Sequence, residues 1–284
     1  MRLLVVGHKG MLGRDLMRIL GSRYQLSGAD CEDLDIREID SVRACMGMRK
    51  PEAVINAAAY TDVDGAESNE ALAHDVNAKG AGNLAKVAAE MGIKRFVHVS
   101  TDYVFNGDKT EPYTEDDPVG PLSAYGRSKL GGEKSVLEAC SDALIVRTAW
   151  LYGRGGKNFV ETILRLASER ERLTVVDDQR GSPTWAAHLA DGIGKLLDAD
   201  AKGIFHLTNS GATTWCRFAM KIIELAGMKG VRVDPITSEQ LERPAKRPKN
   251  SVLDGSKYRK ITGSNMPHWE NALEKYMAER GKSV

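Results

Sequence analysis

The sequence predicts an α/β protein, a doubly wound parallel sheet with a smaller α/β region at its C-terminus. Three observations predict it. Short apolar runs alternate with stretches of helical periodicity through the first half. A glycine-rich turn separates the first apolar run from the first helix. The alternation then loosens past about residue 150. Strands alternating with helices form parallel sheets covered on both faces.

Leu3 to Val6 is a continuous apolar run, hence a buried strand, and Leu12, Leu16, Ile19 and Leu20 follow at helical spacing. Tyr24 to Ala29 reads as the second strand. Ile39, Val42 and Met46 mark a short helix. Ala53 to Ala59 reads as a strand interrupted by Asn56. Residues 69–91 are Ala-rich and helical, with Gly92 ending the helix. Arg95 to Ser100 is a strand, 122–139 a helix and Ala143 to Arg147 a strand. Beyond these, helices are expected at 157–170, 186–197, 214–226 and from Trp269 to Ala278. Short strands are expected at 173–176 and 204–208. The stretch 228–265, rich in Pro, Lys, Arg and Ser, reads as irregular surface. The chain therefore divides into 1–150, completed by parts of 174–208, and 151–284, with no clean linker.

Forty Lys plus Arg against 39 Asp plus Glu leave a net charge of +1. That balance argues against a nucleic-acid or membrane-surface binder. The N-terminal apolar run stops at Gly7, too early for a signal peptide, and no run is long enough to span a bilayer. Cys31, Cys45, Cys140 and Cys216 are scattered, as reduced thiols are in a cytoplasmic protein. No metal-ligand spacing is present, so no metal site is assigned.

Gly7, Gly10 and Gly13 stand between the first strand and the first helix. Without Cβ atoms they let the backbone approach a pyrophosphate. The helix N-terminus behind them offers free N–H groups, here those of Met11 and Leu12. The more usual fingerprint is G-x-G-x-x-G, and these glycines could instead serve only a tight turn. Asp30 ends the next strand, where a carboxylate can hold ribose hydroxyls and would repel a 2′-phosphate, favouring NADH. Lys9, beside the loop, would favour NADPH. The two signals conflict, and the preference stays open.

Tyr125 and Lys129 lie four apart, on one face of a helix. An ammonium beside a phenol favours the phenolate, which would make Tyr125 a usable general acid or base. Ser100 and Thr101 end the strand before that helix, where ligands of such sheets bind. A hydroxyl there can bond a reacting carbonyl oxygen.

The glycine loop, Asn56-Ala57-Ala58-Ala59, Asn77, Ser100-Thr101 and the Tyr125/Lys129 pair together resemble the extended short-chain dehydrogenase/reductase superfamily. The resemblance implies a Rossmann fold with an NAD(P)-binding domain at 1–150 and a mainly substrate-binding region at 151–284. It implies Thr101, Tyr125 and Lys129 as the catalytic set, with Lys129 also on the nicotinamide ribose. Asp35 and Ile36 would contact adenine. Ala57, Ala58, Ala59 and Asn77 would belong to the cofactor site.

Five further segments resemble the dTDP-4-dehydrorhamnose reductase family: residues 58–67, 100–105, 147–153, 179–184 and 247–251. That family reduces the 4-keto group of dTDP-4-dehydro-L-rhamnose with NADPH or NADH, in the supply of cell-surface polysaccharide. By this resemblance Thr61, Val63, Tyr103 and Trp150 would touch the sugar and Arg247 a diphosphate. Trp150 could equally be a core aromatic. The resemblance also admits a homodimer and a metal bound by interface carboxylates, without assigning either. Two other readings stand beside it. One is another nucleotide-sugar epimerase or a dehydratase; related dehydratases carry Asp-Glu after the catalytic Thr, where this chain has Asp102-Tyr103. The other is a non-catalytic NADP-binding regulatory subunit.

Overall fold

The computed structural model of the chain describes residues 1–281. The last three positions of the expected 151–284 region lie outside the described residues. The elements run β1 (Arg2–Val6), α1 (Met11–Leu20), β2 (Gln25–Ala29), α2 (Ile39–Arg49), β3 (Ala53–Asn56), α3 (Gly65–Ser68) and α4 (Glu70–His74). A π-helical turn (Asp75–Gly80) joins α4 to α5 (Ala81–Glu90). Then come β4 (Arg95–Thr101), a 3₁₀ turn (Asp102–Val104), α6 (Ala124–Ala139), β5 (Leu144–Thr148), β6 (Leu151–Tyr152), α7 (Phe159–Glu169) and β7 (Arg172–Val176). The rest is β8 (Arg180–Gly181), β9 (Thr184–Trp185), α8 (Ala186–Asp198), β10 (Gly203–His206), β11 (Thr213–Thr214), α9 (Trp215–Leu225), β12 (Arg232–Ile236), α10 (Ser238–Leu241), α11 (Ser256–Thr262) and α12 (Trp269–Glu279).

Six parallel strands form the central sheet in the order β2-β1-β3-β4-β5-β10. The order reverses between β1 and β3, which opens a crevice beyond the carboxyl ends of those strands. Alternate residues of each strand face opposite layers. Leu3, Val5, Ile55 and Val97 pack with Leu16, Leu189, Ile193 and Tyr258 from α1, α8 and α11. Leu4, Val6, Val54 and Phe96 pack with Val42, Leu84 and Val136 from α2, α5 and α6. Burial on both sides is why these strands read as unbroken apolar runs. A third core, including Tyr152, Trp185, Phe218, Leu273 and Tyr276, lies in the C-terminal region.

The structure corrects three sequence-based expectations. First, 228–265 is not irregular surface. It holds β12, α10 and α11, and buries Val233, Ala245, Val252, Leu253 and Tyr258. β12 pairs in parallel with the distant β7, and Asp234 on it is ion-paired with Arg172 and Arg232, so a polar composition conceals a strand. Second, the helix expected over 69–91 contains the π turn. Third, β3 stops at Asn56. The Asn56 side chain accepts from the Ala58 amide at 3.1 Å and bonds His98 Nδ1 at 3.1 Å, turning Ala57 to Ala59 out of the sheet.

Candidate active site

One cleft of about 930 Å³ runs across the carboxyl ends of the sheet strands. At one end are Gly7, Gly10, Met11, Leu12, Gly13, Asp30, Asp35 and Ile36, and Ala57 to Ala59 form a wall. Thr101, Tyr103, Tyr125 and Lys129 stand in its middle, with Thr61, Val63 and Trp150 beyond. Lys9, Asn77 and Arg247 lie outside the lining.

The glycine end is built for close approach. Gly7 has φ +81°, and a Cβ there would sit 2.7 Å from the Ala58 nitrogen. At Gly13 a Cβ would sit 2.1 Å from the Gly7 oxygen, so the helix packs directly on the loop. No side chain caps the N-terminus of α1 and no acid occupies its first turn. Its first N–H groups and the positive end of its dipole therefore face the cleft uncompensated, a fit for a dinucleotide's pyrophosphate.

Asp30 accepts from the Lys9 amide and from the Cys31 amide, both at 2.9 Å. Burial pushes its carboxyl up, but those amides outweigh it and hold the group below its ordinary value. The Lys9 ammonium pairs with Glu32. Arg37, which also lines the cleft, forks onto the Asp35 carboxylate at 2.7–3.3 Å.

The candidate catalytic group is positioned from β4 and α6. Ser123 caps α6, accepting from the Gly126 amide at 3.1 Å. This sets Tyr125 in the first turn and Lys129 one turn on. Asn77, in the π turn, bonds the Tyr60 backbone in both directions, at 2.8 and 3.0 Å, and donates to Ser128 Oγ at 2.9 Å. It thereby ties the Tyr60 loop to the helix turn between Tyr125 and Lys129.

Lys129 is 2% exposed and donates to the Val99 carbonyl at 2.6 Å. Burial pulls its pKa down to about 8, against the charge of Glu133. Burial pushes Tyr125 up to about 12; the Thr101 hydroxyl beside it works the other way and the charge of Asp102 adds to the rise. The expected lowering by Lys129 is absent, because the ammonium is turned to Val99. Thr101 Oγ1 lies 3.0 Å from Asp102 Oδ1 and accepts from the Tyr103 amide at 3.2 Å. A hydroxyl and a protonated phenol thus share one spot on the cleft wall, with an ammonium below. That set can grip and protonate a carbonyl oxygen.

Tyr103 meets Tyr125 edge-on, with ring centroids 5.7 Å apart. Trp150 adopts φ +47° and stacks on Trp215 at 3.6 Å and 8°. One indole face is therefore already covered. Gly181 supports the ring so closely that a Cβ there would fall 2.3 Å from Cε2. Arg247 donates to Asp64 at 2.9 Å and to the Ala245 carbonyl at 2.9 Å, so its charge is already met.

Sequence reasoning missed Trp215, Lys157, Arg37 and Asp102 on the cleft wall. For Asp102 a signal existed, since it directly follows Thr101. Trp215 opens α9 and reaches the cleft only through tertiary packing. Among the described residues, no group of three or more His, Cys, Asp or Glu is placed to hold a metal ion. None of the described helices is long and apolar enough to cross a membrane.

Residues 1–281 match the family described as RmlD substrate binding domain. The chain is 44% identical to a dTDP-4-dehydrorhamnose reductase of Streptomyces griseus, over 96% of this chain and 91% of that one. It is 42% identical to a dTDP-4-keto-6-deoxy-D-glucose reductase of Streptomyces niveus, over 96% and 95%. Its fold superposes on the crystal structure of a dTDP-4-dehydrorhamnose reductase from Bacillus anthracis in complex with NADP. The TM-score there is 0.95 at 41% identity, covering 98% of this chain and 99% of that one.

Proposed function

This chain belongs to the RmlD substrate binding domain family, and we propose from that premise that it reduces the 4-keto group of dTDP-4-dehydro-L-rhamnose to give dTDP-L-rhamnose. The single observation that carries the reading is the convergence of Thr101, Tyr125 and Lys129 in the cleft that begins at the glycine loop.

In this reading the amides at the start of α1 and the loop around Ala58 hold the dinucleotide, and Asp30 faces its ribose end. A bound NADPH or NADH supplies the hydride. Thr101 donates to the ketone oxygen and orients it. Tyr125, whose proton burial holds in place, protonates that oxygen as charge develops on it. For the buried Lys129 ammonium to stabilise the phenolate left behind, it must leave the Val99 carbonyl and turn toward Tyr125. Tyr103 stands where dehydration would need a second acid–base carboxylate, which favours simple reduction. Thr61, Val63 and the exposed edge of Trp150 shape the sugar subsite.

The experiment is direct. Purified protein is mixed with dTDP-4-dehydro-L-rhamnose and, separately, with dTDP-4-keto-6-deoxy-D-glucose, and nicotinamide absorbance is followed with each cofactor. Oxidation with the rhamnose precursor is expected. No oxidation of either cofactor would sink the reductase reading, and oxidation with the glucose derivative alone would move the sugar.

A further inference from the structure

Asp102 is 2% exposed, lines the cleft and has no assigned part in the reduction. Its Oδ1 lies 3.0 Å from Thr101 Oγ1, and the Thr101 hydroxyl is close enough to the Tyr125 phenol to work against the rise in its pKa. Its Oδ2 is buried with no partner meeting hydrogen-bond geometry, although the Ser251 hydroxyl is close enough to lower the carboxyl's pKa. A buried carboxylate with an orphaned oxygen is costly, and the neutral acid is not. The neutral acid also has a proton to give, and Thr101 is the hydroxyl within reach.

We propose that Asp102 is a relay acid, returning a proton to Tyr125 through Thr101 after Tyr125 has protonated the substrate oxygen. The step rests on the reductase reading above. Its protons balance. The Tyr125 O–H bond breaks as the sugar O–H forms. The Thr101 O–H breaks as the Tyr125 O–H reforms, and the Asp102 O–H breaks as the Thr101 O–H reforms. No electrons are transferred in the relay. Asp102 is left as a carboxylate and regains its proton from solvent entering the cleft it lines.

Protonation of Asp102 also sets the direction of the chain. When Asp102 is neutral it donates to Thr101, and the Thr101 hydrogen points to Tyr125 or the ketone. When Asp102 is ionised, Thr101 must donate to it and is lost to the substrate. The groups facing Asp102 are Thr101, Tyr103 and Tyr125 from its own side and Ser251 from the C-terminal region; Arg247, held by Asp64, stands behind Tyr103. Burial pushes the Asp102 carboxyl up to about 7, so the relay is charged below that pH and spent above it.

The test is the pH profile of kcat for the wild-type chain and for Asp102→Asn. Wild-type kcat is expected to fall as pH rises through about 7. In Asp102→Asn, kcat should drop roughly a hundredfold or more, within the range of proton-transfer effects. The limb near 7 should vanish, leaving the later fall set by Lys129 near 8. KM and dinucleotide affinity should hold. An Asp102→Asn enzyme with unchanged kcat and the same limb would overturn the relay and leave the reductase reading standing. So would a wild-type kcat flat through pH 7, whether or not the variant folds. A wild-type chain with no turnover at any pH would overturn the reductase reading and the relay with it.

Discussion

Burial of Tyr125 works for an acid and against a base. With its pKa pushed up to about 12, the phenol keeps its proton at any physiological pH and releases it only to a strongly basic oxygen. Tyr125→Phe should lower kcat by roughly 10²–10⁴-fold, the usual worth of a positioned proton donor. Its dinucleotide affinity should be unchanged, as measured by quenching of tryptophan fluorescence. Asp102 makes a stability prediction as well. Its folded pKa, about 7, lies above the ordinary carboxyl value of 3.8, so ionisation opposes folding. Its contribution is intact below about 4, declines as pH rises toward 7 and stays low above that. Asp102→Asn lacks this dependence. The melting temperature of the variant relative to wild type should therefore climb between pH 4 and pH 7 and then level off. A difference independent of pH would mean that Asp102 stays ionised in the folded chain.

Elements carry the site by the way they pack on each other. α1 reaches the cleft with bare amides only because Gly13 lets it sit on the Gly7 carbonyl. Gly13→Ala would force the helix or the loop to move, an overpacking cost of about 1–3 kcal/mol. Dinucleotide affinity should fall by about tenfold or more in a fluorescence titration. Behind α6 lies a buried pair. Arg147 on β5 forks onto Glu133 at 2.7 and 2.9 Å, and Ser100 donates to the same carboxylate at 2.5 Å. Both ions are 3% exposed. Removing one strands the other, so Arg147→Met should cost about 3–5 kcal/mol in urea unfolding. Arg147→Met with Glu133→Leu should recover much of that loss. Full loss in the double variant would show that packing, not charge, holds α6 against the sheet. In the sequence, α6 was legible from its periodicity, but this pair was not, since its partners stand 14 positions apart on a helix and the strand that follows it, and no local spacing links them.

Over the whole molecule the chain crosses between its two regions more than once. β10 pairs with β5 at the edge of the main sheet, and α11 packs Tyr258 into the core beside α8. All four tryptophans, Trp150, Trp185, Trp215 and Trp269, lie past residue 149. Their fluorescence therefore reports the C-terminal region, while far-ultraviolet circular dichroism reports the whole. Shared cores predict coincident midpoints from the two probes in urea, and separated midpoints would mean independently stable halves. The sequence by itself determined the strand–helix order of the first half and the glycine loop, and it singled out Thr101, Tyr125 and Lys129 as the candidate set. Each of these depends on local spacing, either the two-sided burial of a strand or one turn of a helix. Tertiary structure alone decided the rest. It turned the Lys129 ammonium to Val99, stacked Trp215 on Trp150, met Arg247 with Asp64 and buried Asp102 beside Thr101 with an oxygen left over. Those outcomes depend on which distant groups share a low-dielectric space, and no local periodicity encodes that.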